Sequence, residues 1–117
     1  MKCYPFILSI ILCLCFSAAR AQKGKKETVS IKTAIYCSHC LECKSCGKNI
    51  SSKMARQKGV AKCVIDPDNN TITVTYNPAR TNVGQIKKAI SETGYDADEV
   101  KALPDAYQKL DGCCKKG

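Results

Sequence analysis

Between Glu27 and Val100 the apolar residues switch repeatedly between a spacing of two and a spacing of four, and the order of those switches limits the folds open to the chain. Val29, Ile31, Thr33 and Ile35 alternate with Ser30, Lys32 and Ala34, the pattern of a half-buried strand. Cys46, Ile50 and Met54 then recur every four residues before Gly59, as on a short amphipathic helix. Ala61, Cys63 and Ile65 form an alternating face, Asp66-Pro67-Asp68-Asn69-Asn70 is a dense turn signal, and Ile72, Val74 and Tyr76 alternate beyond it, which predicts a hairpin. Asn77-Pro78 breaks that strand. Thr81 or Asn82 then caps a helix bearing Val83, Ile86 and Ile90 on one face and ending at Gly94. Tyr95 to Val100 reads as a short last strand. The predicted class is α+β: a ferredoxin-like βαββαβ sandwich, a four-stranded antiparallel sheet with two helices on one face.

The 117 residues allow one compact domain at most and exclude large multidomain enzymes. Residues 1–21 read as a signal peptide: Lys2 gives a positive start, Phe6 to Phe16 is an apolar run, and Ala19-Arg20-Ala21 fits a small-x-small cleavage site. The run is too short for a bilayer span and no second one follows. Cys13 and Cys15 lack the preceding small residue of a lipid-anchored cysteine. The expected divisions are therefore the signal at 1–21, a basic leader at 22–26, the folded domain at 27–102, and a tail at 103–117 ending in Cys113 and Cys114. The expected location is periplasmic or secreted after cleavage near Ala21.

Cysteine dominates the composition, with ten thiols against a single His and no Trp. Cys3, Cys13 and Cys15 leave with the signal, so an odd seven remain, and at least one must stay unpaired, bridge chains or hold a metal. Cys37, Cys40, Cys43 and Cys46 stand at strict three-residue intervals and give three overlapping C-x-x-C pairs. Two intervening residues let both sulfurs turn toward one ion at little cost in loop closure, and soft thiolates select soft ions such as Cu(I), with zinc as a borderline case. Cys46 falls in the first turn of the expected helix, where exposed N–H groups, the helix dipole and nearby Lys44 and Lys48 favour a thiolate.

With these residues in place the chain resembles the heavy-metal-associated domain family, similar to copper chaperones, the cytosolic modules of metal-pumping ATPases and periplasmic mercuric-ion binding proteins. The resemblance covers roughly Glu27 to Ala102. It rests on Cys43-Lys44-Ser45-Cys46 followed by Ile50 and Met54, and on Gly94-Tyr95-Asp96. It implies that Cys43 and Cys46 are the principal metal ligands and that Tyr95 lies in the loop facing the metal. The chain departs from the family where Cys40-Leu41-Glu42 replaces the usual Gly-Met. Leu41 can serve as the apolar anchor, while Cys37, Cys40 and His39 are additional. A four-thiolate site or a small multi-ion cluster then joins the two-coordinate linear one. Cys37 and Cys40 stand as secondary ligands, with a disulfide between loop cysteines as the competing reading.

Other residues have plainer readings. Cys63 falls on an apolar strand face and packs as a small hydrophobe. Cys113 and Cys114 supply extra ligands, pair with another chain or have no role at the site. His39 sits in the loop without being a primary ligand, and the glycosylation pattern at Asn49-Ile50-Ser51 is discounted because it falls in a helix. The +9 charge, +7 once Lys2 and Arg20 leave, is carried by scattered lysines with no aromatic platform, so nucleic acid is not an expected partner.

The expected function is that of an exported protein, not an enzyme, that captures one thiophilic ion and passes it by thiolate exchange to a metal-transporting membrane protein or another carrier. Cu(I) and Hg(II) lead and Zn(II) is a further candidate. The chain is expected to be a monomer or a metal-bridged dimer. The alternative is a thiol–disulfide redox protein using one C-x-x-C pair. It has against it the missing thioredoxin-like strand order and cis-Pro position, and four crowded cysteines that invite reshuffling. An iron–sulfur site is disfavoured by a last spacer one residue short and by Gly47 in place of a proline context.

Overall fold

A computed structural model describes residues 25–37 and 46–115. The expected signal peptide, the start of the leader, and His39, Cys40 and Cys43 of the loop lie outside the described residues. The elements are β1 (Glu27–Lys32), α1 (Gly47–Ala55), β2 (Val60–Asp66), β3 (Thr71–Tyr76), α2 (Val83–Ser91), α3 (Pro104–Gln108) and a 3-10 turn at Gly112–Cys114.

The strands pair antiparallel in the order β1-β3-β2. Their register sets Val29 and Ile31 beside Val74 and Ile72, with Cys63 and Ile65 on the other side of the same two residues. Period-two spacing therefore brings the β-branched side chains to a common face, where Ile31, Ile72 and Val74 are fully buried. Ile50 and Met54 of α1 and Ile86, Ala89 and Ile90 of α2 join them in one apolar core, each large side chain contributing about 1.5–3 kcal/mol. Cys63 is half-buried in this face, as expected, and burial pushes its thiol pKa up.

The hairpin turn also organises the loop that follows β1. Asp66 accepts from the N–H groups of Asp68 and Asn69 at 3.1 and 3.2 Å and from the Asn69 side chain at 2.7 Å, which fixes the turn locally. The chain leaves through Asn70 at φ 52°, a left-handed conformation that asparagine tolerates. Asn70 then holds the end of β1: its carbonyl accepts from Thr33 N–H at 2.9 Å and its Oδ1 from Ile35 N–H at 3.0 Å. Of the two expected caps for α2, Asn82 serves, accepting from Gln85 N–H at 2.9 Å.

The expected fourth strand does not form among the described residues. Residues 97–100 fold on themselves through reciprocal Ala97 and Val100 hydrogen bonds of 2.8 and 2.9 Å, because Asp98 takes φ 52° and reverses the chain. Only Asp98 reaches β1, donating its N–H to Lys32 O and accepting from Lys32 N–H, both at 2.8 Å. Lys87 of α2 anchors this turn through Asp98 at 3.3 Å and Glu99 at 2.8 Å. The sheet has three strands with a hydrogen-bonded turn beside β1 in place of a fourth.

The tail folds back. Gly94 has φ 99°, and a Cβ there would stand 2.9 Å from Ala106 O and 3.1 Å from Leu110 Cγ, so this glycine lets α3 approach the end of α2. Leu110 and Cys114 are buried as a result. No helix among the described residues is long and apolar enough to cross a membrane.

Candidate metal site

The described residues bracket the cysteine loop. Cys37 stands on its β1 side, half-buried against the core, and Cys46 on its α1 side, fully buried as the N-cap residue of the helix. The first turn of α1 carries no acidic residue, and Lys48 lies within it. Asn49, whose glycosylation pattern was discounted, turns its side chain inward and donates to Thr93 O at 3.2 Å.

Tyr95 follows the left-handed Gly94 and is 3% exposed. Its hydroxyl faces the sulfurs of Cys114 and Cys46 but is buried with no hydrogen-bond partner. Burial first, and then those two thiols, push its ionisation far up, so it remains a neutral phenol able to donate. Tyr95 also lines a cleft of about 200 Å³ with Tyr36, Tyr107 and Cys114.

The tail brings two further sulfurs to this end of the molecule. Cys113 is exposed, Cys114 is 2% exposed, and their Sγ atoms are 3.9 Å apart. Cys113 also faces Cys37. The adjacent Cys114 thiol, desolvation and Cys37 together push its pKa up to about 12. All five described cysteines are thiols rather than disulfides. Among the described residues no three Cys, His, Asp or Glu side chains already converge on a single point.

Of the expected ligands, the structure places Cys37 and Cys46 at the two ends of the loop, while Cys43 and Cys40 lie outside the described residues. What the sequence reading left open was the tail. Tyr107, Leu110 and Cys114 are spaced as a helical apolar stripe, and that spacing is the signal that could have revealed the docking.

A three-stranded antiparallel sheet backed by two helices, with a buried cysteine at the start of the first helix and a buried tyrosine nearby, makes this a small α+β domain of the ferredoxin type. The chain matches the heavy-metal-associated domain over residues 38–96, about half its length, and it belongs to that family. It is 36% identical over 56 residues to the copper chaperone CopZ of Staphylococcus haemolyticus, spanning 48% of this chain and 82% of that protein. It is 31% identical over 55 residues to the periplasmic component of the mercuric transport protein of Salmonella typhi, spanning 47% and 60%. The crystal structure of oxidised MerP from Ralstonia metallidurans superposes with a TM-score of 0.54 at 22% identity, covering 63% of this chain and 96% of that one. This likeness bears on the fold, which is of the ferredoxin type.

Proposed function

We propose that this protein is an exported carrier of a thiophilic ion of the copper or mercury class. Cys43 and Cys46 hold the ion as principal ligands, and Cys40 and Cys37 stand by as further donors. The observation that carries the reading is the burial of Cys46 at the N-terminus of α1 within a C-x-x-C pair, in a chain of this family. The named relatives, a copper chaperone and a mercuric transport component, support the choice of ion class.

Transfer proceeds by ligand exchange. A thiolate of the acceptor adds to the bound ion while Cys43 or Cys46 leaves and takes up a proton, so the ion is never released to water. The acceptor is a metal-transporting membrane protein or a second carrier, and no substrate bond is made or broken. Residues 1–21 direct export, and the mature protein begins at Gln22.

The experiment is anaerobic titration of the reduced chain with Cu(I) or Hg(II) in the presence of a competing chelator. Replacing Cys43 and Cys46 together with serine is expected to lower affinity at the principal site by at least a hundredfold. Unchanged affinity in that variant refutes the ligand assignment, and steady turnover of a model disulfide favours the redox reading instead.

A further inference from the structure

We propose that Cys113 and Cys114 are a redox latch: a disulfide formed between them unwinds the end of the tail and releases it from the cleft beside Tyr95. The latch goes beyond the metal-binding reading and does not depend on it, because it uses only the tail and what the tail covers.

The two sulfurs stand 3.9 Å apart as thiols, and they differ in access: Cys113 is exposed, whereas Cys114 is 2% exposed. The tail has few other holds. No residue of α3 is buried, and among residues 103–115 only Leu110 and Cys114 are. Cys114 lines the cleft with Gly94, Tyr95 and Tyr107, so its side chain is one of the two that pin the tail there. Release uncovers Tyr95, whose hydroxyl faces Cys46, and so opens that end of the molecule.

The bond and the docked tail are incompatible. Both cysteines lie in the 3-10 turn Gly112–Cys114, closed by Cys114 N–H to Asp111 O at 2.9 Å and Lys115 N–H to Gly112 O at 3.3 Å. Such a turn sets successive side chains about 120° apart around its axis, whereas a disulfide draws its sulfurs to about 2.05 Å. Adjacent Cα atoms are only about 3.8 Å apart, below the roughly 4.4–6.8 Å usual across a disulfide, so the small ring closes only if the turn unwinds. Strain and exposure also make the bond easy to reduce, and the latch resets.

The oxidant is a low-molecular-weight disulfide such as oxidised glutathione. Cys113 gives up its proton and attacks one sulfur, the other leaves as a thiol on taking up a proton, and a mixed disulfide forms. Cys114 then attacks Sγ of Cys113 and expels the second thiol. Two protein thiols are oxidised and one external disulfide is reduced to two thiols, once per chain and without turnover. The raised pKa of Cys113 keeps its thiolate scarce near neutral pH, so the first step is slow and the latch answers to lasting oxidation.

The test is prolonged incubation of the reduced full-length chain with oxidised glutathione, followed by capping of free thiols with N-ethylmaleimide and mass spectrometry of the tryptic peptide from Leu110 to Lys115. Hydrogen exchange over residues 104–115 is followed in parallel. The expected peptide carries no cap and lacks two hydrogens, and exchange over the tail rises about tenfold, returning to its starting rate on reduction with dithiothreitol. Cys113→Ser, at an exposed position, loses no core packing and cannot close the ring, so its tail is expected to exchange as slowly with the oxidant as without it. A sulfur of the pair found bonded to Cys37, to another chain or lastingly to glutathione overturns the latch. So does a closed ring with unchanged exchange, or faster exchange in Cys113→Ser, which assigns the release to oxidation of other cysteines.

Discussion

The hydroxyl of Tyr95 is turned toward the sulfur of Cys46, with both side chains all but removed from solvent and the phenol lacking any hydrogen-bond partner. An unsatisfied buried polar group costs about 1–3 kcal/mol, so the metal-free chain carries a local penalty at the site. Tyr95→Phe is expected to stabilise the metal-free chain by about 1 kcal/mol in urea unfolding and to speed release of the bound ion about tenfold, by loss of a charge-assisted hydrogen bond. A variant that destabilises the metal-free chain and leaves release unchanged contradicts this role.

Asn70 ties the turn to the start of the cysteine loop, and its side chain and backbone make separable contributions. Asn70→Gly keeps the left-handed backbone and loses the bond to Ile35, at a cost of about 1 kcal/mol. Asn70→Ala loses the same bond and also leaves a Cβ at φ 52° without the short polar side chain that makes asparagine tolerant of that region, for about 2–3 kcal/mol in all. Equal destabilisation by the two, measured by chemical unfolding, speaks against the backbone part of the account.

Gly94→Ala places a methyl group 2.9 Å from Ala106 O. The expected result is detachment of α3 and the tail, read as at least a tenfold rise in the alkylation rate of Cys114, which is 2% exposed in the native fold. An unchanged rate shows that the tail is held without this close approach.

Stability is expected to fall on the alkaline side. The pKa of Cys113 is raised from 9.0 to about 12 in the fold, chiefly by Cys114, and that of Cys63 is raised by burial. Between those values the folded chain binds more protons than the unfolded one, so this contribution is whole below pH 9 and is lost as pH rises toward 12. Unfolding curves across that window should show the decline, and Cys113→Ser should flatten it. A decline that is unaltered in the variant assigns it to other groups.

Glu92 works in the opposite sense. Its carboxyl pKa is held below 4.5, first by Lys53 at 2.7 Å, so its contribution is present above that value and lost as pH falls through the lowered one. The pair is partly exposed, and Glu92→Gln should cost less than about 1 kcal/mol at neutral pH and nothing in acid. Equal cost at both pH values identifies packing, rather than charge, as the cause.

The paired strands and the first two helices were legible because their apolar residues keep one period each: Ile72, Val74 and Tyr76 at two, Cys46, Ile50 and Met54 at four. The last strand was misread because Asp98 takes a left-handed turn that periodicity does not reveal. Likewise β1 stops at Lys32 although alternation runs on to Ile35, since Asn70, and not a neighbouring strand, binds Thr33 and Ile35. At the site, family resemblance brought Tyr95 into view, whereas the burial of Cys114 depends on contacts across the fold with Gly94 and the end of α2. The one local sign of them is the helical spacing of Tyr107, Leu110 and Cys114, which does not say what the stripe packs against.

The order β1-β3-β2 leaves the outer side of β2 as a sheet edge, the kind of surface along which chains add to one another into fibres. Here the irregularity between Val60 and Lys62 breaks the regular ladder, and the exposed Lys62 sets a charge along it. Asp98 occupies part of the opposite side at Lys32. With backbone pairing blunted on both flanks, a chance collision between two copies has little to zip together, and a crowded compartment can hold many copies of a sulfur-rich domain without their strands joining.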